Sequence, residues 1–408
     1  MIRWPTKPLS EICEFVRGIS FKPTDLVEAG SADSLACFRT KNIQEALEAD
    51  DLIHIPRSFV KTERQLVKEG DALISTANSN NLVGKCCFVP RLGYPATLGG
   101  FIAAVRSHPN QVQPRFLYHW LASPPIQERL RRLARQTTNI SNLPLTEVAK
   151  EQAPVPSLAE QERIVKLLDE ADELRKLRTQ ADRRTADLIP AIFHDMFGRH
   201  IKSPPVLVSF QRMNMPKGWG WSRLTNVARL ATGHTPNRQT PEYWNGNISW
   251  ISLTDIRALD GTVAQKTRQA VTDLGIENSS SVKLPGGTVC FSRTASVGFV
   301  TVMGREMCTS QDFVNWVCGE RLDPVYLMGA LIQARKHLRL LASGSTHRTI
   351  YFPTVEQFIV LVPPLSLQKE FANRIAEVRA MEAQQAASRQ RLDDLFQSML
   401  HRAFQGEL

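Results

Sequence analysis

The chain has 408 residues, a formal net charge of +10, 42% hydrophobic residues and seven cysteines. It has no run of eighteen apolar residues and no apolar N-terminal stretch, so we expect neither a membrane span nor a secretory signal peptide. The cysteines form no C-x-x-C pair. This spacing argues against a zinc site or a disulfide framework and predicts reduced thiols in a cytoplasmic protein.

The first part of the chain predicts a globular α+β unit over residues 1–156. Apolar runs bounded by turn residues predict strands at 71–76 and 86–90. The segment 114–135 has helical periodicity with a Pro–Pro break. A long charged helix follows at 157–199.

Residues 200–218 contain proline pairs and glycine without clear periodicity, so they predict a linker. A second α+β unit is predicted at 219–362. Its strands are expected at 287–292, 298–302 and 313–318, and its helix at 324–344. A second long helix is predicted at 363–408.

The two halves of the chain are a tandem duplication. The long helices align without a gap, and the matched pairs are Pro156 and Pro363, Leu158 and Leu365, Gln161 and Gln368, and Asp187 and Asp394. The globular units are less similar, but 69–86 resembles 285–302 and 137–145 resembles 347–355. The chain is therefore organised as unit, helix, unit, helix.

Each long helix carries an apolar stripe typical of a coiled coil. Because a helix of this length has little core of its own, its stripe needs another helix, and antiparallel pairing of the two duplicates is the simplest solution. The alternative is that each helix folds back on its own unit. The predicted seam and partner-binding residues are Ile164, Leu167, Leu174, Leu188, Ile192, Phe371, Ile375, Val378, Leu392, Leu395 and Met399.

Catalytic signatures are absent from the sequence. There is no phosphate-binding loop, dinucleotide fingerprint, nucleophile elbow or H-E-x-x-H motif, and the nine histidines show no metal-ligand spacing. The N-P-P-[FY] motif of enzymes that methylate a base is also missing. We therefore expect no catalytic residue, bound metal or cofactor in this chain.

Polar loops at matching places in the two units predict contacts with DNA. The positive charge is concentrated in the globular units, as expected for a protein that binds a polyanion. Asn, Arg, Ser and Thr can bond base edges or phosphates, although such clusters are also common in turns. The predicted contacts are Lys41, Asn42, Asn78, Asn80, Asn81, Lys85, Arg135, Thr137 and Asn139 in unit one, and Arg238, Thr254, Asp255, Arg293, Thr294, Ser296, Thr346, His347 and Arg348 in unit two.

In this order of features the chain resembles the DNA-specificity subunits of type I restriction–modification systems. The resemblance covers nearly the whole sequence. It is carried by the paired openings at 154–161 and 363–368, the helices after them, the strand at 70–75, and the segments 137–156 and 346–363. The glycine usual in the loop at 137–142 is missing, and unit two lacks an aspartate after its first strand glycine.

This resemblance implies two tandem target-recognition domains, each binding one half of an interrupted, asymmetric double-stranded DNA sequence. The helices would form an antiparallel coiled coil that sets the spacer and docks two methyltransferase subunits. S-adenosylmethionine would bind to those subunits, and motor–nuclease subunits would complete the restriction complex. The alternatives are a duplicated DNA-binding regulator that needs no partner, a protein scaffold that does not bind DNA, and an orphan or regulatory specificity subunit.

Overall fold

The computed structural model describes residues 4–137, 140–209, 215–344 and 348–408. The chain divides into two compact units. Unit one contains residues 1–180 and 386–408, and unit two contains residues 181–385. Both boundaries fall inside a long helix, so each unit combines the first part of one helix with the last part of the other. Within the described residues, no helix is long and apolar enough to cross a membrane.

Unit one contains short strands and helices followed by one long helix. The strands are β1 Thr6–Pro8, β2 Cys13–Arg17, β3 Ser34–Phe38, β4 Ile53–Pro56, β5 Ala72–Ser75, β6 Ala77–Asn78, β7 Cys86–Phe88, β8 Ala96–Leu98, β9 Ile102–Ser107, β10 Arg135–Gln136, β11 Ser141–Asn142 and β12 Gln152–Pro154. The helices are α1 Leu9–Ile12, α2 Pro114–Ala122, α3 Pro124–Leu133, α4 Leu145–Val148 and α5 Leu158–Ala186. The predicted break at Pro124–Pro125 is where α2 gives way to α3.

The sheets of unit one bring several connections to one edge. Strands β2-β9-β5-β7 form an antiparallel sheet, and β4-β3-β8 form a second sheet in which β3 and β8 are parallel. Smaller sheets join β10-β11-β6 and β1-β12. Because β3 and β8 run in the same direction, the segments that follow them emerge side by side.

Unit two contains a similar set of elements. Its helices are α6 Leu188–Met196, α7 Leu253–Leu259, α8 Asp273–Glu277, α9 Pro324–Gln333, α10 Arg335–Leu340, α11 Phe352–Val355 and α12 Leu365–Gln405. Its strands are β13 Val206–Leu207, β14 Gly220–Arg223, β15 Ala228–Thr232, β16 Trp244–Ile251, β17 Val263–Ala264, β18 Gln269–Val271, β19 Val289–Ser292, β20 Val300–Met303, β21 Cys308–Thr309, β22 Phe313–Cys318 and β23 Ile359–Val362.

The sheet topology of unit two repeats that of unit one. Strands β15-β22-β19-β20 correspond to β2-β9-β5-β7, with β17 added at the edge. The sheet β18-β16-β21 corresponds to β4-β3-β8 and keeps the parallel pair. Both units are α+β, as predicted, and the duplication extends to strand order and direction.

The strands also correct the alignment of the two units. Gly70 and Gly287 both have positive φ, at 90° and 84°, and both precede the equivalent strands β5 and β19. This match shifts the resemblance between 69–86 and 285–302 by one residue. The sequences are too different in side chains to fix the register, whereas the hydrogen-bonded ladders determine it.

In unit one, the last part of α12 lies antiparallel to the first part of α5. Arg163 Nη2 donates to the carbonyl of Leu408 at 2.6 Å, and Arg175 Nε donates to Asp393 Oδ1 at 2.7 Å. The residue number thus falls along α12 as it rises along α5. The core of this unit includes Ile164, Leu168, Phe396, Leu400 and Ala403.

In unit two, the last turn of α5 and the following helix α6 pair with the first part of α12 in the same antiparallel sense. Gln385 Nε2 donates to Thr185 Oγ1 at 2.8 Å, and the rings of Phe193 and Phe371 lie 5.5 Å apart. Phe371, Ile375 and Phe193 belong to the core of this unit. Antiparallel pairing of the duplicated helices is therefore confirmed, and both helices also pack on the globular units.

The predicted seam is only partly correct. Ile164, Phe371, Ile375 and Val378 are buried, and Leu167, Ile192, Leu392 and Met399 are half-buried. The correction concerns Leu174, Leu188 and Leu395, which are exposed, Leu174 by 53%.

The cause of this error is the phase of the stripe. Beside Leu174, Arg175 faces the partner helix, with its guanidinium 4.6 Å from the Phe396 ring centroid. A straight helix drifts from a heptad repeat. The α5 helix also ends at Ala186 and α6 begins at Leu188, so one periodic pattern does not extend through both.

Candidate nucleic-acid interface

Loop cluster one consists of residues 39–51, 76–85, 99–101 and the described part of 135–142. Phe38 of β3 pairs with Leu98 of β8 in parallel, so the loops after these strands lie side by side. Ser75 at the end of β5 pairs with Ile102 at the start of β9, which places the loop after β5 beside them. Lys85 Nζ donates to Gln44 Oε1 and ties two of the loops together.

Several of the predicted contacts in loop cluster one are exposed. Asn80, Asn81, Arg135 and Thr137 lie at the surface. Ser141 Oγ donates to Asn80 Oδ1 at 3.4 Å, which joins the loop after β6 to the hairpin of β10 and β11. These side chains lie on the same edge of unit one and present amide, hydroxyl and guanidinium groups, which suit base edges and phosphates.

Other predicted contacts in this cluster are engaged within the protein. Lys41 is exposed but forms an ion pair with Asp51. Asn78 is half-buried, and its Oδ1 accepts from the backbone N–H of Ser79 at 2.9 Å. Lys85 is half-buried and bonded to Gln44. Such contacts order the loops, and each of these side chains keeps further donors beside the bond it makes within the protein.

Asn42 is a wrong prediction. It is 2% exposed, and its Oδ1 accepts from the backbone N–H of Arg39 at 2.7 Å. Its Nδ2 donates to the carbonyl of Glu48 at 2.9 Å. Because its donors and acceptor are used inside the loop, Asn42 shapes the loop and does not face a ligand.

Loop cluster two of unit two consists of residues 234–239, 252–255, 293–298, 310–312 and the described part of 343–350. Ile251 of β16 pairs with Thr309 of β21 in parallel, and Ser292 at the end of β19 pairs with Phe313. Thr235 Oγ1 donates to Gln311 Oε1 at 2.5 Å, joining two of the segments. The loops therefore gather at the same edge of the sheets as in unit one.

Two arginines of loop cluster two lie over aromatic rings. The guanidinium of Arg238 lies 4.7 Å from the Trp244 ring and 5.2 Å from the Trp250 ring. That of Arg293 lies 4.6 Å from the Phe352 ring, and its Nη2 donates to the carbonyl of Gln311 at 3.0 Å.

Arg293 is the more buried of these two arginines. Burial lowers its pKa, and its Nε has no hydrogen-bond partner. Because Nε is buried, a contact of this guanidinium with a phosphate or a guanine would use its Nη groups.

The other predicted contacts in unit two differ in exposure. Thr254 and Arg348 are exposed, and Thr294 and Ser296 are half-buried. Asp255 is a wrong prediction, since it is 4% exposed and caps the start of α7. Its Oδ2 accepts from Ser252 Oγ at 2.7 Å, and its Oδ1 accepts from the backbone N–H of Arg268 at 3.0 Å. The predictions for Asn139, Thr346 and His347 fall outside the described residues.

The two loop clusters share one backbone hydrogen-bond framework. In unit one, Thr76 N–H donates to the carbonyl of Phe101 at 2.8 Å, and Leu143 N–H donates to that of Thr76 at 2.8 Å. In unit two, Arg293 donates to the carbonyl of Asp312 at 2.8 Å and accepts from Ile350 at 2.9 Å. The framework places Thr76 opposite Arg293, and Phe101 opposite Asp312. Equivalent backbones thus carry different side chains.

The repeated glutamines at the start of the long helices are positioning residues. The Leu-x-x-Gln motif made them visible in the sequence but did not indicate this role. Gln161 is fully buried. Its Oε1 accepts from the backbone N–H of Gln113 at 2.8 Å, and its Nε2 donates to the carbonyls of Gln111 and Pro156 at 3.0 and 2.9 Å. The bonds to Gln113 and Gln111 link the helix start to the globular part of the unit, and the bond to Pro156 closes the first turn.

Gln368 makes the same three bonds in unit two. It accepts from Asp323 N–H at 2.9 Å and donates to the carbonyls of Arg321 and Pro363 at 3.1 and 2.7 Å. The repeated Leu-x-x-Gln opening thus attaches each helix to its globular unit, and the start of α5 or α12 is fixed against its loop-bearing sheets.

The acidic, histidine and cysteine side chains of the described residues bear on whether the chain could hold a metal ion or present a reactive thiol. In the described part of the chain, no group of three or more His, Cys, Asp or Glu side chains is placed to hold a metal ion. The seven cysteines are free thiols, and burial raises the pKa of Cys13 to about 12 and of Cys308 to about 11. Such thiols are unreactive at neutral pH.

The type I restriction modification DNA specificity domain model matches the chain twice, at residues 1–182 and 216–388. The chain belongs to the family of type I restriction–modification specificity subunits. The two matches coincide with the two loop-bearing halves of the sequence, so this specificity subunit has two tandem specificity domains.

Two named relatives are similar to the chain over most of their length. The StySPI specificity subunit of Salmonella potsdam is 25% identical over 423 aligned positions, covering 99% of this chain and 89% of the relative. The EcoKI specificity subunit of Escherichia coli K12 is 23% identical, with the same coverage. These two specificity subunits are thus similar to the chain over almost its whole length.

Solved structures support the fold. A chain from work on complex assembly and conformational transition of the type I R-M system superposes with a TM-score of 0.65 at 18% identity, covering 100% of this chain and 99% of that one. The specificity subunit of Mycoplasma genitalium superposes with a TM-score of 0.56 at 12% identity, covering 99% and 96%. At these identities the likeness concerns the fold alone.

Proposed function

We propose that each specificity domain binds one half of an interrupted, asymmetric DNA target, and that the paired helices set the spacer between the halves. The observation that carries this proposal is the pair of loop clusters. The same backbone framework presents Thr76 and Phe101 in one unit and Arg293 and Asp312 in the other. Because base recognition depends on side-chain donors, acceptors and apolar groups, the two half-sites should differ in sequence.

Chemistry on DNA is assigned to partners in this proposal. Two methyltransferase subunits bind S-adenosylmethionine and flip an adenine of each half-site out of the duplex. Motor–nuclease subunits complete the restriction complex in the cytoplasm. The purified chain alone should therefore neither methylate nor cleave DNA, and methyl transfer without added subunits would contradict the proposal.

The outer faces of the helices are the proposed docking surface for the methyltransferase subunits. In unit one, Leu174, Leu177 and Leu395 are exposed on α5 and α12. In unit two, Leu188 and Met381 are exposed on α6 and α12. Because these side chains lie outside the seam that the helices share, we assign them to the docking surface.

Exchange of one domain tests the assignment of half-sites. Residues 1–156 are replaced by the matching part of a homologous specificity subunit with a different target, and the methylated sites of a host carrying the complete system are sequenced. Exactly one half of the target should change, and the spacer should remain the same. Changes in both halves, or in neither, would contradict the proposal, and this experiment also identifies the half-site that unit one binds.

Single variants test the loops within that frame. Arg293→Ala should weaken DNA binding by about 1–3 kcal/mol and, if Arg293 contacts a base, relax one position of the unit-two half-site. Arg305→Ala is the matched control, because Arg305 is exposed and precedes β21, at the opposite end of that strand from loop cluster two. Equal effects of the two variants would assign Arg293 to the fold only.

The helices are tested by lengthening both of them together. Four helix-forming residues inserted after Ala181 and four after Gln385 preserve their antiparallel pairing. They add about 6 Å, because each residue extends a helix by about 1.5 Å. Since B-DNA advances about 34 Å in ten base pairs, the spacer should lengthen by one or two base pairs with both half-sites unchanged. An unchanged spacer would show that the helices do not determine it.

A regulator that acts alone and a scaffold that does not bind DNA remain distinguishable alternatives. Binding to DNA that weakens steeply with salt excludes the scaffold. A shift in gel filtration when methyltransferase subunits are added excludes the solitary regulator. An orphan or regulatory specificity subunit is distinguished from a subunit of a complete system by whether methyltransferase and nuclease genes neighbour the coding sequence.

A further inference from the structure

Phe101 is an exposed aromatic residue that the packing of unit one does not explain. It is 62% exposed, and among the described residues it is the only phenylalanine in the exposed class. Single apolar residues are common at protein surfaces, so exposure alone carries no function. What distinguishes Phe101 is its place at the centre of loop cluster one and the rigid turn that holds it there.

The turn that carries Phe101 connects β8 to β9. The carbonyl of Phe101 accepts from Thr76 N–H at 2.8 Å, and Ile102 N–H donates to the carbonyl of Gly99 at 2.9 Å. Gly99 N–H donates to the carbonyl of Phe38 at 2.9 Å. Phe101 therefore lies between the loop after β3 and the loop after β5, which contains Asn80 and Asn81.

Close backbone packing holds this turn in place. A Cβ on Gly18 would lie 2.1 Å from the carbonyl oxygen of Gly99, and a Cβ on Gly100 would lie 2.8 Å from Ser20 Oγ. Only glycine fits at Gly18, because the clash there is with backbone. The ring is thus presented from a fixed backbone, which lowers the entropy lost when it contacts a ligand.

The equivalent turn of unit two has a polar residue. Asp312 occupies the place of Phe101, and its Oδ2 accepts from Ser310 Oγ at 2.9 Å. The fold consequently does not require an aromatic ring at this position. An apolar side chain exposed among amide and guanidinium groups suits a ligand that presents a small apolar group among polar ones.

We propose that Phe101 is a specificity-determining residue that contacts the methyl group of a thymine in the half-site bound by unit one. The inference rests on the proposed function. Of the groups that base pairs present in the major groove, the C5 methyl of thymine is apolar, and phenylalanine is among the side chains that contact it. Unit two, with Asp312 at this place, lacks the contact.

The test uses the full chain assembled with its methyltransferase subunits and a duplex that contains its methylated target. Equilibrium binding is measured for wild type, Phe101→Ala, Phe101→Leu and Tyr94→Ala. Each thymine of the unit-one half-site is replaced in turn by uracil, which lacks the methyl group. Tyr94 is the matched control, because it is 40% exposed and precedes β8, at the opposite end of that strand from Phe101.

The expected result is a coupling between one thymine and Phe101. Replacing that thymine should weaken wild-type binding about fourfold, the effect of losing one buried methyl contact. Phe101→Ala should weaken binding to the thymine duplex by about fourfold or more, and it should be insensitive to the replacement. Phe101→Leu should retain most of the affinity, and Tyr94→Ala should bind as wild type.

Three results would overturn the inference. Wild-type affinity in Phe101→Ala would show that the ring makes no contact, and additive effects of Phe101→Ala and every uracil replacement would show that the ring acts otherwise than on a methyl group. A unit-one half-site without thymine on either strand would also contradict it. Failure of the proposed function is separate, since wild type would then show no preference for the target duplex.

Discussion

The side chains that attach the long helices to the globular parts differ between the two units. In unit one the contact includes charged groups, since Asp169 Oδ1 on α5 accepts from Arg115 Nε at 2.8 Å and is bonded to His119 Nε2 at 2.7 Å, both on α2. It also includes an aromatic pair, because the ring of Phe116 on α2 lies 5.4 Å from that of Phe404 on α12. In unit two the matching contact consists of aromatic rings. The ring of Tyr326 on α9 lies 4.9 Å from that of Phe197, which is 5.5 Å from that of Phe371 on α12.

The alignment of the duplicates shows that equivalent positions between helix and sheet carry different side chains in the two units. Arg115, His119 and Asp169 correspond to Val325, Gly329 and Ala376. At Gly329 a Cβ would come within 3.1 Å of the Phe371 ring, so the ring occupies the space that a side chain fills in unit one. Backbone topology and the buried glutamines are repeated, whereas the side chains between helix and sheet have diverged.

The same divergence appears inside the main sheets. In unit one the buried Asp71 receives two hydrogen bonds from Arg106, at 2.8 Å each. Burial disfavours the charge on Arg106, but the bonds to Asp71 leave its pKa raised. The equivalent positions in unit two are Thr288 and Val317, with no charge. At these two places unit one has ionised side chains where unit two has uncharged ones.

Among the variants that keep both units folded, the largest effect is expected from Phe371→Ala. This ring is almost fully buried in the core of unit two, and its loss should reduce the free energy of unfolding of that unit by about 3–5 kcal/mol. Ile164→Ala at the matching position of unit one should cost about 2–5 kcal/mol. Chemical denaturation of each full-length variant, with Leu340→Ala as an exposed control, measures both. A larger loss for Ile164→Ala would contradict the view that unit two relies more on this aromatic packing.

Gln161→Ala and Gln368→Ala should have equal effects on their units. Each substitution removes three hydrogen bonds and leaves buried backbone groups unsatisfied, at a cost of about 1–3 kcal/mol. The free energy of unfolding of the two variants is compared in the same denaturant. A difference of more than about 1 kcal/mol between them would show that the duplicated attachments have diverged as the packing around them has.

Asp169→Asn should change the response of unit one to acid. Burial alone would raise the pKa of Asp169, but hydrogen bonds from His119 and Arg115 outweigh it and leave the pKa lowered. Because the folded-state pKa lies below the unfolded value of about 3.9, the carboxylate stabilises unit one above that value and ceases to do so as the pH falls through the folded pKa.

Wild type should therefore lose more stability than Asp169→Asn between neutral pH and pH 3, measured by thermal unfolding across that range. Ala376→Ser in unit two is the control, since no carboxylate stands at that position. Identical pH profiles of wild type and Asp169→Asn would show that the polar attachment adds nothing.

The smallest effect on stability is expected from Leu174→Asp. Because Leu174 is exposed, its replacement should change the free energy of unfolding by less than about 0.5 kcal/mol. Co-purification with methyltransferase subunits should nevertheless weaken, since Leu174 belongs to the proposed docking surface. Leu168→Asp places a charge at a fully buried position and should unfold unit one instead. Normal assembly of Leu174→Asp would remove that side chain from the docking surface.

The duplication, the α+β class and the long helices were determined by the sequence alone. Repeated prolines and glutamines at constant spacing reveal the repeat, and charged segments with helical periodicity predict helix over most of 157–199 and 363–408. These features are local or periodic, so they can be recognised without knowing what the residues contact. The same is true of the polar loops. Their composition indicates that they lie at the surface, but it does not show which of their residues are exposed.

Only the tertiary structure decided which of those side chains are available. Asn42 and Asp255 are residue types that often contact DNA, but their carbonyl and carboxylate oxygens accept hydrogen bonds from backbone N–H groups of the protein. Leu174 fits a heptad, but Arg175 faces the partner helix. Phenylalanine is usually a core residue, yet the register of the strands places Phe101 at the surface among the loops. Burial and hydrogen bonding depend on residues distant in sequence, and the pairing of β5 with β9 and of α5 with α12 brings those residues together.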